Sequence, residues 1–188
     1  MSAESDEPYI FDDGPLSHFA EAGWLGMLQL VVGERHAWLP ETVRREVGLA
    51  VDTYPHLRAV LEATWLTHRS ILTDIEQTAF GHYTSRLLGP NGENLGECGV
   101  LALAEANNAV AVIDDGFART VAAERGVAVK TTVALLCDLV NGGHISLDVA
   151  STVADNLLAT EYRLPFLPGG FKAFVLMEDL IMPPYDEY

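Results

Sequence analysis

The chain has 188 residues, 49% of them apolar and 20% charged, enough for one domain with a full hydrophobic core and short for two. That composition excludes a disordered chain and a coiled coil, and no apolar run approaches the roughly 18 residues of a membrane-spanning helix. Eleven basic residues against 27 acidic ones give a net charge of −16, so the global field repels phosphate. Three readings follow: the partner is not nucleic acid, metal ions invert the charge locally, or a basic partner covers the acidic surface. The opening, Met1 to Glu7, is acidic and polar. It lacks the basic-then-apolar order of a secretory signal, and the expected location is cytoplasmic.

Pro8 to Asp12 is a short apolar run ending in acid and Gly14, which predicts a buried strand. Helices are predicted over Pro15 to Ala22 and Trp24 to Val32, then a strand over His36 to Leu39 closed by Pro40. Glu41 to Ala50 reads as a helix with Val43 and Val47 inward and Arg44 and Arg45 outward. Tyr54 to Leu88 reads as mostly helical, with a possible strand near Trp65 to Thr67, and Gly89 to Asn94 as a loop. Further on, a helix over Leu95 to Ala106 leads into the buried strand Ala109 to Ile113, ended by Asp114-Asp115-Gly116. The rest alternates: helix Phe117 to Arg125, strand Val127 to Val129, helix Thr131 to Asn141, helix Ser146 to Thr160. Nearly all-apolar strands alternating with helices predict an α/β three-layer sandwich, a mainly parallel sheet covered on both faces. Residues 1–164 are read as the domain and 165–188 as a tail rich in proline and aromatics. Cys98 and Cys137 read as small reduced core residues.

In an open parallel sheet ligands bind beyond the carboxyl ends of the strands. Two acidic pairs fall there, Asp12-Asp13 and Asp114-Asp115. Each could simply cap the following helix. Two pairs at equivalent strand ends speak against that, because clustered carboxylates repel one another and no lysine or histidine lies near them in sequence. A hard divalent cation is the natural compensation. Glu97, at the start of the Leu95 helix, and Glu46, on the helix after Pro40, can join. Taken singly, Glu97 reads equally as a helix-terminal acid and Glu46 as a solvated one. The six histidines show no paired ligand spacing, so a zinc enzyme is not expected.

Five segments taken together resemble the PIN-domain family. Ile10-Phe11-Asp12-Asp13-Gly14-Pro15-Leu16 resembles its opening strand, and Leu39-Pro40-Glu41-Thr42-Val43-Arg44-Arg45-Glu46 its second element. Leu95-Gly96-Glu97-Cys98-Gly99 resembles the Gly-Glu start of a small-residue helix, and Val112-Ile113-Asp114-Asp115-Gly116-Phe117-Ala118-Arg119 the fourth motif. Gly126 to Thr132 resembles the closing short strand and threonine. The order holds from about residue 9 to 145, and is nearest to compact prokaryotic toxin-like nucleases. The resemblance implies Asp12, Glu46, Glu97 and Asp114 as the catalytic acids, Asp12, Glu97, Asp114 and Asp115 as metal contacts, and Mg²⁺ or Mn²⁺ as the ion. Thr131 or Thr132 matches the polar residue near that site. The implied activity is metal-dependent endoribonuclease cleavage of RNA, as the toxin of a toxin–antitoxin pair with an antitoxin-like inhibitor. Asp13, the longer stretch from Asp52 to Asn94 and the tail depart from the family pattern.

Haloacid-dehalogenase-like phosphatases need two aspartates two apart, whereas Asp12 and Asp13 are adjacent and point oppositely from an extended strand. A receiver domain needs a late lysine followed by proline, and Lys130 is followed by Thr131. The remaining alternative is a catalytically silent PIN-like binding or assembly module. The apolar tail, with Phe166, Phe171, Phe174, Met177, Leu180 and Met182 among Pro165, Pro168, Pro183 and Pro184, either packs on its own domain or forms a homodimer or inhibitor contact.

Overall fold

A computed structural model describes residues 7–182. Its centre is a five-stranded sheet in which every neighbouring pair is parallel. In chain order the elements open with β1 (Tyr9–Phe11), α1 (Asp13–Glu21), α2 (Leu25–Val32), β2 (Ala37–Pro40) and α3 (Glu41–Ala50). A 3₁₀ turn (Pro55–Leu57) leads to α4 (Arg58–Leu61), β3 (Leu66–Arg69), α5 (Asp74–Leu87) and α6 (Leu95–Asn107). Next come β4 (Val110–Val112), α7 (Gly116–Glu124), β5 (Val129–Lys130), α8 (Thr132–Asn141), α9 (Leu147–Ala159) and α10 (Phe171–Met177). Helices flank the sheet as the expected three-layer α/β sandwich.

The strand order is β3-β2-β1-β4-β5. The chain therefore builds outward from β1 to β3, then returns to the other side of β1 with β4. The crevice between β1 and β4 is the point where the winding reverses, which is where such sheets bind ligands. Tyr9, Ile10 and Phe11 pair with Val110, Ala111 and Val112, and the Asp12 N–H continues the ladder to the Val112 carbonyl at 3.1 Å. All six paired residues are buried, which is why both strands read as unbroken apolar runs rather than alternating ones.

Helix α6 is the structural partner of that crevice. Its run Cys98–Ala104 is buried, and it can lie close to α3 because Gly96 and Gly99 face that helix. A Cβ at Gly96 would stand 2.5 Å from Glu46 Oε2, and one at Gly99 would overlap Thr42 Oγ1. Helix α5 starts on a complete capping box between Thr73 and Glu76, while α8 and α9 start on side-chain caps from Thr131 and Ser146.

The main departures from expectation concern the closing strand and the tail. The short closing strand sits at Val129–Lys130 rather than 127–129, because the Ile113 N–H reaches the Lys130 carbonyl and Ala111 reaches Ala128. Within the tail, α10 lies on α9 and buries Phe171 and Val175 in the main core. Leu167, Met177 and Met182 of the tail are exposed; Pro183 and Pro184 lie outside the described residues. Cys98 and Cys137 are both buried free thiols. Among the described residues no helix is long and apolar enough to cross a membrane.

Candidate active site

The acids singled out in the sequence reach the crevice from four separate elements. Asp12 follows β1, Glu46 lies on α3, Glu97 on the first turn of α6, and Asp114 just beyond β4. All four line one cavity of about 510 Å³, together with Asp13 and Asp115. Glu93, in the loop before α6, also lines it, and no motif pointed to it. Among the described residues no lysine, arginine or histidine lines that cavity.

Asp12 occupies the position that should cap α1, yet its side chain makes no capping bond. It is buried, and that burial, with the charges of Glu97, Asp13 and Glu46, holds its carboxyl well above the usual range. The Asp13 N–H offsets only part of this. Burial also pushes Glu46 up to about 7, reinforced by Glu97 and Asp13 and opposed by the Gly96 N–H, which donates to Glu46 Oε1 at 3.0 Å. Glu97 is raised chiefly by burial, then by Asp115 and Asp13.

Glu76 supplies the internal contrast. It is as deeply buried as Asp12, but the N–H groups of Leu72 and Thr73 both donate to its Oε2 at 2.9 Å. Asn107 Nδ2 donates to Oε1 at 3.2 Å, and the Arg69 guanidinium stands 3.5 Å away. Although burial alone would raise Glu76, these donors hold it at about 2. This carboxylate is structural and satisfied. Asp12 and Glu46 have only the Asp13 and Gly96 N–H groups against their burial, and among the described residues no basic side chain lines their cavity.

Asp114 is held differently. Its Oδ1 accepts the Thr132 N–H at 2.9 Å, and its Oδ2 accepts the Thr132 hydroxyl at 2.7 Å. The Tyr162 phenol also donates to Oδ2. The choice between the two threonines is thereby resolved: Thr132 contacts Asp114, and Thr131 caps α8 through the Ala134 N–H at 3.2 Å. Asp115 lines the same cavity, but its Oδ1 accepts the Ala118 N–H at 2.7 Å and caps α7. For Asp115 the capping expectation describes the observed contact.

Tyr162 was invisible to motif reading. It follows α9, stacks on His18 with ring centroids 4.3 Å apart, and closes over Gly14 as well as Asp114. His18 Nδ1 is in turn bonded to Thr160 Oγ1 at 2.8 Å. The end of α9 is thus fastened to α1 across the mouth of the crevice.

A family model described as a PIN domain matches residues 8–166. The chain belongs to the PIN-domain family. No curated protein and no solved structure matches it significantly. PIN domains are nuclease-type domains and typically use divalent metal ions, and this PIN domain carries a donor set suited to one. Its cavity offers hard oxygen ligands, a buried carboxylate without a counter-charge and, among the described residues, no protein cation. Among the described residues no three acidic, histidine or cysteine side chains form a ready-made cage for an ion.

Proposed function

We propose that this PIN domain is a Mg²⁺- or Mn²⁺-dependent ribonuclease that hydrolyses phosphodiester bonds in RNA. The observation that carries the reading is the convergence of Asp12, Glu46, Glu97 and Asp114 in one crevice at the sheet's reversal point. In this reading Asp12 and Asp114 contact the ion directly, Glu97 contacts it or orients its waters, and Asp115 lends charge while capping α7. Glu46 holds a water: Gly96 occupies its Oε1 and leaves Oε2 free to accept from it. The metal, when bound, supplies charge neutralisation at a non-bridging phosphate oxygen and a water acidic enough to attack near neutral pH. Thr132 and Tyr162 fix the Asp114 carboxylate so that it need not reorganise as the phosphate gains charge.

The test is cleavage of a labelled single-stranded RNA by the full chain with and without Mg²⁺ or Mn²⁺. Metal-dependent product that disappears in Asp12→Asn supports the reading. Absence of product with either ion leaves the alternative, a PIN-like binding or assembly module. A toxin role, with an antitoxin-like inhibitor covering the acidic face, belongs to the same proposal. It predicts growth arrest on expression that the Asp12→Asn chain does not cause.

A further inference from the structure

A second cavity, of about 410 Å³, adjoins the acidic one and shares Asp114 with it. Its character is opposite. Val133, Leu164, Phe174 and Leu180 form apolar walls, and Arg119 and Arg163 stand on its rim. Six of the eleven basic side chains are paired with carboxylates: Arg44, Arg69, Arg86, Arg125, Lys130 and Lys172. Arg35 instead covers the Tyr9 ring. Four exposed arginines, Arg45, Arg58, Arg119 and Arg163, have no carboxylate partner among the described residues, and of these Arg119 and Arg163 share this cavity. A chain of net charge −16 has carboxylates to spare for pairing, so two free guanidinium groups at one cavity, beside an acid cluster, point to an anionic ligand. The backbone explains the juxtaposition: Tyr162 lines the acidic cavity and the next residue, Arg163, lines the apolar one.

Resting on the nuclease reading, we propose that this cavity is a nucleotide subsite for the residue of single-stranded RNA next to the cleaved phosphodiester. The two arginines take its phosphate as a bidentate pair, and the apolar walls with the Phe174 ring take its unstacked base. The subsite selects single strands, because a base held in a duplex stack cannot enter. It also lets an acidic protein grip RNA by placing two of its unpaired cations where the strand leaves the metal site.

The probe is a fluorescein-labelled, mixed-sequence single-stranded RNA, with the matching duplex, titrated against the full chain in EDTA by anisotropy over a range of salt. Arg119→Met/Arg163→Met should bind roughly tenfold more weakly. Its slope of log affinity on log salt should be shallower by about 0.7, the value for the one strand phosphate that the two arginines neutralise. Ala134→Phe, which fills the cavity and keeps both arginines, should weaken the single strand while leaving the salt slope unchanged. Duplex should bind wild type more weakly than single strand. An Arg119→Met/Arg163→Met chain with wild-type affinity and slope, or equal affinity for duplex and single strand, would overturn the proposal. A calorimetric Mg²⁺ titration of the same variants separates the two readings. Arginine-dependent RNA binding in a wild type without metal response supports the subsite while sinking the metal-nuclease reading.

Discussion

Tyr162 donates its phenolic hydrogen to Asp114 Oδ2 across 48 residues of chain, and this bond ties the end of α9 to the end of β4. With the two Thr132 bonds, three donors orient one carboxylate before any ligand arrives. Tyr162→Phe keeps the stack on His18 and removes only the hydroxyl. The expected cost is about 1 kcal/mol of stability, read as a small fall in melting temperature. RNA cleavage should fall further than that, because Asp114 becomes freer to rotate. Activity equal to wild type would show that Thr132 alone positions the carboxylate.

Stability should depend on pH in two windows with opposite signs. Glu46 is raised from about 4.5 to about 7, so between those values the native state holds a proton that the unfolded chain has lost. Stability therefore falls as pH rises through that window, and Asp12 and Glu97 act in the same direction. Glu76 is lowered from about 4.5 to about 2, so its contribution is lost as pH falls through that range. His18, lowered by burial, acts in the opposite direction below about 6.5, so without divalent ions the decline toward neutral pH should be the net effect of three raised acids against one histidine. Glu46→Gln keeps an oxygen for the Gly96 N–H and should flatten the neutral-side decline. A melting temperature that rises steadily from pH 5 to 7 in EDTA would contradict this electrostatic account.

Asp12→Asn replaces the most buried acid of the crevice with an amide that cannot ionise. In EDTA it should melt above wild type, since a neutral amide relieves the repulsion from Glu97, Asp13 and Glu46. In Mg²⁺ the order should reverse. Wild type gains about 2.7 kcal/mol at an ion concentration of about a hundred times the Kd, and the variant gains little. Differential scanning calorimetry in the two buffers reads both signs.

Gly99 lies where a Cβ would overlap Thr42 Oγ1. Gly99→Ala should cost about 1–3 kcal/mol by forcing α6 away from α3. Thr42→Ala, which removes that oxygen, should recover most of the loss in the double variant. Because Glu46 and Glu97 ride on these two helices, Gly99→Ala should also weaken Mg²⁺ binding. Independent, additive effects of the two substitutions would exclude the close approach as the cause.

Leu167, Met177 and Met182 of the tail are exposed at 81%, 76% and 71%. We propose that these residues serve self-association or an inhibitor contact. Leu167→Glu/Met177→Glu should shift sedimentation from dimer to monomer, without moving the calorimetric Mg²⁺ response. A wild-type chain that sediments as a monomer at high micromolar concentration leaves only the inhibitor contact, to be tested by pull-down.

The sheet and the two strand-end acids, Asp12 and Asp114, were legible in the sequence because each depends on local pattern, whereas Glu46 and Glu97 were singled out only by the family resemblance. Val110 to Val112 is buried on both faces and so reads as an unbroken apolar run, and a parallel strand places its terminal acid at the carboxyl edge whatever surrounds it. What each acid does was decided in three dimensions. Asp12 and Asp115 both follow strands and precede helices, yet only Asp115 caps, because Asp12 is drawn into the crevice while Asp115 meets the Ala118 N–H. Thr131 and Thr132 are adjacent and chemically identical. The pitch of α8 gives the cap to one and Asp114 to the other. Tyr162 reaches Asp114 only because α9 packs back beside α8, a contact between distant segments that leaves no spacing in the chain. Local periodicity reports which groups stand at strand ends, whereas hydrogen bonding and burial between remote elements determine their charge and their partners.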